Sequence, residues 1–89
     1  MNALEHSDLI LSAKKGQYLM AIDVVSGVNM SEGGTFVYQF GHKFRVKLKV
    51  GDLIFCLDEN GRSVSFERED MANLQIITKE QGVLVFNSS

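Results

Sequence analysis

Over Lys43–Val50 the chain alternates at every position. Phe44, Val46, Leu48 and Val50 fall on one side, and Arg45, Lys47 and Lys49 on the other. A period of two is that of a β-strand with one face on a core. The next run, Leu53–Leu57, is apolar throughout and suits a strand covered on both faces. Gly51-Asp52 joins these two runs, and Asp58-Glu59-Asn60-Gly61 leads into a third that ends at Phe66. Asn-Gly between apolar runs signals a hairpin, because a type I′ turn needs positive φ at both central residues. Residues 43–66 therefore read as three antiparallel strands, the spine of a small sheet.

The flanking segments are less regular. In the N-terminal segment, Ser7 is placed to cap a short helix, Asp8 suits its first turn, Lys14 and Lys15 suit its last, and Gly16 suits its C′ position. Leu9, Ile10 and Ala13 would form the buried face; a strand presenting Leu9, Leu11 and Ala13 is the competing pattern. Residues 18–25 read as one strand whose acid, Asp23, faces solvent at a sheet edge. Residues 26–34 form the longest irregular segment and the expected mobile loop. Its Gly33-Gly34 pair lacks the Gly-Lys-Ser/Thr of a phosphate loop.

Residues 35–40 read as a strand with Phe36, Tyr38 and Phe40 on one face and Thr35, Val37 and Gln39 on the other. A tight turn at Gly41-His42 would pair it with the basic strand and set Val37 and Gln39 beside Arg45 and Lys47. Residues 67–73 are too polar for a strand and suit a helical or 3₁₀ turn with Met71 and Leu74 pointing inward. A strand over 74–78, a turn over 79–82 and a last strand over 83–86 complete the pattern. That last run is apolar on both sides, so it must be covered or pair with a partner chain.

The fold class is all-β or mainly β: a small antiparallel β-barrel or roll with a short N-terminal helix and a single helical turn near 68–73. From Gly51 onward the order is strand, hairpin, strand, helical turn, strand. This resembles the layout of SH3-like small barrels over roughly the second half of the chain, by element order only, and implies a fold without implying a function.

Composition narrows the class. Eighty-nine residues with 45% apolar and 22% charged content and a net charge of −2 describe one globular domain, 1–89. A single cysteine, Cys56, cannot form an internal disulfide, and the opening residues lack a basic region followed by an apolar run. A reducing, cytoplasmic location is the expectation, with no membrane span, since no apolar run approaches ~18–20 residues.

Little in the chain points to catalysis, cofactors or metals. Cys56 lies mid-strand, where burial keeps it a thiol. His6 sits in an N-terminus expected to fray, and His42 sits in a hairpin turn, where no neighbour in sequence orients it. No Cys-x-x-Cys, His-x-His or His-Glu-x-x-His spacing occurs. The acids Glu67, Glu69 and Asp70 are interrupted by Arg68 and read as a solvated face.

Charge layout stands out more. Lys43, Arg45, Lys47 and Lys49 fall within seven residues that hold no acid. Strict alternation would space Arg45, Lys47 and Lys49 at ~6–7 Å on one sheet face, close to the phosphate spacing of a single nucleic-acid strand. Against this, the aromatics would face the other way and the pI is about 5.6. The leading expectation is a non-enzymatic protein-interaction, adaptor or inhibitor domain that self-associates as a homodimer or larger assembly. The alternative is a nucleic-acid-binding barrel using Arg45, Lys47 and Lys49, with Lys43 and Gln39 assisting. A small-ligand pocket beside residues 26–34, or an enzyme, ranks third.

Overall fold

The computed structural model describes the backbone of residues 3–86 and the side chains of residues 5–82. Its elements are α1 (Ala3–Leu11), β1 (Tyr18–Ala21), β2 (Val25–Asn29), β3 (Thr35–Tyr38), β4 (Lys43–Val50), β5 (Leu53–Leu57) and β6 (Ser63–Phe66). A 3₁₀ turn (Asp70–Asn73), β7 (Leu74–Ile77) and α2 (Lys79–Phe86) follow. The chain is mainly β, as expected. All seven strands form one antiparallel sheet in the order β3-β2-β6-β5-β4-β1-β7.

The spine read from the sequence is present: β4, β5 and β6 are adjacent, with hairpins at Gly51-Asp52 and at 58–62. The sheet curls until strands far apart in its order meet across the core. The Tyr38 ring of β3 lies 4.8 Å from Phe44 of β4 and 6.3 Å from Phe66 of β6, and Phe44 and Phe66 are 5.0 Å apart, all edge to face. Such pairs add roughly 0.5–1.5 kcal/mol each beyond the area they bury. Ile10, Leu19, Val46, Ile54, Val64, Met71 and Leu74 complete the core. Met71 and Leu74 point inward from the 3₁₀ turn, as its sequence suggested.

Several expectations are corrected. Residues 35–40 and the basic strand do not form a hairpin, since β3 pairs only with β2 while β4 pairs with β1 and β5. The reason lies in the connection: Gly41 N–H donates to Ala21 O at 2.8 Å and Ala21 N–H to His42 O at 2.9 Å. Gly41-His42 is thus spent on the end of β1, as a corner between two walls of the curled sheet. Phe40 is consequently on the outside, 72% exposed, and Val37 and Gln39 are not beside Arg45 and Lys47.

The expected single strand over 18–25 is two strands on different walls. It bends at Ile22-Asp23, where Asp23 Oδ1 accepts the Val24 N–H and Asn73 Nδ2 donates to Val24 O. Asp23 is exposed, but in a bend and not on a strand edge. The loop expected over 26–34 shrinks to 30–34, because β2 runs through Asn29, whose side chain accepts the Ser31 and Glu32 N–H groups.

Both ends of the chain also differ. α1 starts before Ser7, which is buried inside it and accepts a hydrogen bond from Arg68. Ile10 and Ala13 face the core, while Leu9 is exposed. Residues 83–86 are helical, not a strand. Thr78 Oγ1 accepts the Gln81 N–H and Gln81 Oε1 accepts the Thr78 N–H, a reciprocal Thr-x-x-Gln capping box that starts α2. Gly82 leaves room for the Tyr18 ring; a Cβ there would be 2.1 Å from Tyr18 Cγ.

The basic strand is corrected as well. Val46 pairs with Cys56, but the next paired residue is Leu48, opposite Phe55, so Lys47 is skipped. This β-bulge inverts the alternation beyond it. Lys49 now lies opposite the buried Ile54, and its Nζ donates to Leu11 O at the end of α1. Leu48 and Val50 turn outward, 49% and 57% exposed. β5 has one fully buried face, Ile54 and Cys56, and a partly covered one, Leu53, Phe55 and Leu57.

Candidate protein-interaction site

β3 is a terminal strand of the sheet, and the direction of its backbone follows from the pairing with β2. Asn29 N–H donates to Gly34 O at 3.0 Å, which marks 29/34 as a hydrogen-bonded pair in a register where Val28 faces Thr35. Such pairs alternate along an antiparallel ladder. Phe36 and Tyr38 therefore bond to β2, whereas the N–H and C=O groups of Thr35 and Val37 point off the open edge. On its other side β2 agrees, since Met30 N–H donates to Ser63 O. Residues 35–40 carry no charge and no proline, the usual devices that block strand addition. Val37 is 59% exposed.

The same segment lines an open groove of about 470 Å³. Phe36 through Gly41 form one wall, and His42, Glu59, Asn60 and Arg62 form the other. Apart from His42, the second wall belongs to the β5–β6 turn. Asp58, with no solvent exposure, accepts hydrogen bonds from Tyr38 OH, Arg62 Nε, Arg62 N–H and Asn60 N–H, each at 2.9 Å. Burial opposes its ionisation, but these donors outweigh it and hold its pKa below the ordinary carboxylate value. The same burial, together with the Asp58 carboxylate, pushes the Tyr38 phenol well above its usual range.

Arg62 is fixed by this arrangement. Its Nε is held by Asp58, and its guanidinium carbon lies 4.0 Å from the Phe36 ring centroid. The stacked pair forms a ridge between the first groove and a second of about 410 Å³, lined also by Asn29, Ser31, Glu32 and Gly61. This second groove lies beside residues 26–34, where a small-ligand pocket ranked third among the readings of the sequence.

His42 packs on Tyr38 and Phe44, with ring centroids 4.6 and 4.9 Å away. Its Nε2 accepts the Glu59 N–H at 3.2 Å. Burial lowers its pKa more than the nearby Glu59 carboxylate raises it, so the ring is neutral at pH 7. Glu59 itself is engaged, accepting the Lys43 N–H at 2.7 Å. His42 is thus oriented by residues distant in sequence, with the structural task of bracing the 58–62 turn.

The residues singled out from charge layout do not form one surface. Lys43 is half-buried beside Glu59, Arg45 and Lys47 are exposed, Lys49 reaches to α1, and Gln39 lines the β3 groove. Cys56 is buried and its thiol is pushed up to about 12 by desolvation, as expected of a core residue. His6 lies in α1, its Nε2 2.6 Å from Leu74 O. Among the acids near the 3₁₀ turn, Asp70 accepts the Glu67 N–H, while Arg68 pairs with Asp8 and Asp52. Among the described residues no cluster of three or more His, Cys, Asp or Glu side chains is suited to a metal ion.

Sequence reasoning missed Arg62, Asp58 and Phe36 as a unit. The one available signal was Asp58 four residues before Arg62 across a hairpin turn; the link to β3 is non-local. Comparison with protein-family models, curated proteins and solved structures finds no match for the chain.

Proposed function

We propose that the protein is a non-enzymatic binding module that takes an extended segment of a protein partner as an added strand along β3. One observation carries this reading. An uncharged terminal strand presents outward backbone groups at Thr35 and Val37 beside a groove lined by its own consecutive residues. Backbone hydrogen bonds would supply affinity, and pockets for alternate side chains would supply selectivity. The exposed Phe40 ring is available as an apolar contact at one end. Among the described residues no helix is long and apolar enough to cross a membrane, and a lone buried thiol suits a reducing compartment such as the cytoplasm.

The bulge in β4 weakens the nucleic-acid reading, because it removes Lys49 from the outer face and puts Leu48 and Val50 there. Self-association through residues 83–86 as an edge strand loses its basis, since they are helical. A second copy remains one form that a β3 partner can take.

The test is selection of random twelve-residue peptides on the immobilised protein, followed by binding to wild type and to Val37→Pro. Proline removes one outward N–H without disturbing the bonds to β2. We expect Val37→Pro to weaken the selected peptides by at least about tenfold while the urea midpoint is little changed. Equal binding by the variant refutes strand addition at β3. Salt-sensitive binding of random single-stranded RNA, lost in Arg45→Glu/Lys47→Glu, would favour the alternative.

A further inference from the structure

We infer that Arg62 is a carboxylate receptor, and that the segment added along β3 carries an aspartate or glutamate opposite Phe36; this rests on the β3 reading above. Arg62 has spent only its Nε and backbone N–H, both on Asp58. Among the described residues no acceptor meets its two terminal amino groups, although it borders both grooves. Glu59 and Glu32 line those grooves, yet neither forms an ion pair with Arg62, and Glu59 is committed to the Lys43 N–H. A guanidinium clamped on one edge and stacked on one face loses little freedom on binding. Its remaining fork matches the two oxygens of a carboxylate.

Register specifies the position. Thr35 and Val37 would exchange hydrogen bonds with the incoming strand, so the residue between those bonds lies directly opposite Phe36 and on the same face. The Arg62 guanidinium sits over the Phe36 ring on that face. The residue two places along, opposite Tyr38, would contact the Phe36–Phe40 wall of the first groove.

The experiment uses the peptides selected above and changes the acid on the ligand, with Arg62→Gln and Val37→Pro compared only once their urea unfolding shows them folded. Aligned sequences should show one fixed acidic position with an apolar residue two places away on one side. Replacing that acid by its amide should weaken binding to wild type by about tenfold or more, and to Arg62→Gln by less than about twofold. If Val37→Pro abolishes binding but the amide swap changes nothing, the β3 site stands and the role of Arg62 is wrong. An equal loss from the amide swap on wild type and Arg62→Gln also overturns it. Peptides that bind Val37→Pro normally, or no selected peptides at all, overturn the β3 reading itself.

Discussion

Asp58 is a fully buried carboxylate kept ionised by four donors, two of them from Arg62 and one from Tyr38. Removing it in Asp58→Ala leaves a phenol and two backbone N–H groups without their acceptor and should cost about 2–4 kcal/mol in urea unfolding. Because its folded pKa lies below the unfolded value of ~3.9, its contribution is complete above that value and is lost as pH falls through the folded one. The urea midpoint of wild type should therefore drop on acidification below about pH 4. The gap between wild type and Asp58→Asn should narrow over the same range. At Cys56, burial and the raised pKa predict a native thiol that reacts with disulfide reagents only on unfolding. That is measured by comparing labelling in buffer and in urea.

At the scale of elements, what was legible followed from local pattern and what was not depended on register or on distant partners. The run that became β4 alternates with a period of two, the β5 run is apolar throughout, and Asn-Gly marks the turn into β6, all local signals. The bulge after Val46 leaves the alternation of residue types intact while changing the direction of their side chains, so Lys49 read as a partner of Arg45 and Lys47. It instead ends α1, a favourable place for a cation. Lys49→Ala should thus lower stability by about 0.3–1 kcal/mol and Lys47→Ala by less, as read from urea midpoints. In α2, the Thr78-x-x-Gln81 box was a local signal, outweighed by the strand-like composition of residues 83–86. The candidate site was only half visible. The uncharged strand and its exposed Val37 could be read, but that β3 ends the sheet could not.

The whole molecule explains that difference, because its sheet order joins strands remote in sequence and leaves consecutive β3 and β4 on different walls. Within the sheet, β2 lies close against β6 at Gly27. A Cβ on Gly27 would lie 2.4 Å from Val64 Cγ2 and 2.8 Å from Phe66 Cε1. Gly27→Ala should overpack this contact and destabilise the fold by about 1–3 kcal/mol in denaturant titration. The curling of the sheet brings the β5–β6 turn against Tyr38, and so sets Arg62 beside an edge that would otherwise be bare. Binding, in this account, is a property of how two distant segments are held together, with Asp58 as the link.

The most direct measurement is residue-resolved amide hydrogen exchange by NMR, with and without a saturating selected peptide. In the free protein the Thr35 and Val37 amides should exchange rapidly while Phe36 and Tyr38 are protected by β2. On binding, Thr35 and Val37 should gain protection and their neighbours should change little. Protection already present at Thr35 and Val37 in the free monomer, or a peptide footprint on Leu48 and Val50 in place of β3, would contradict the account.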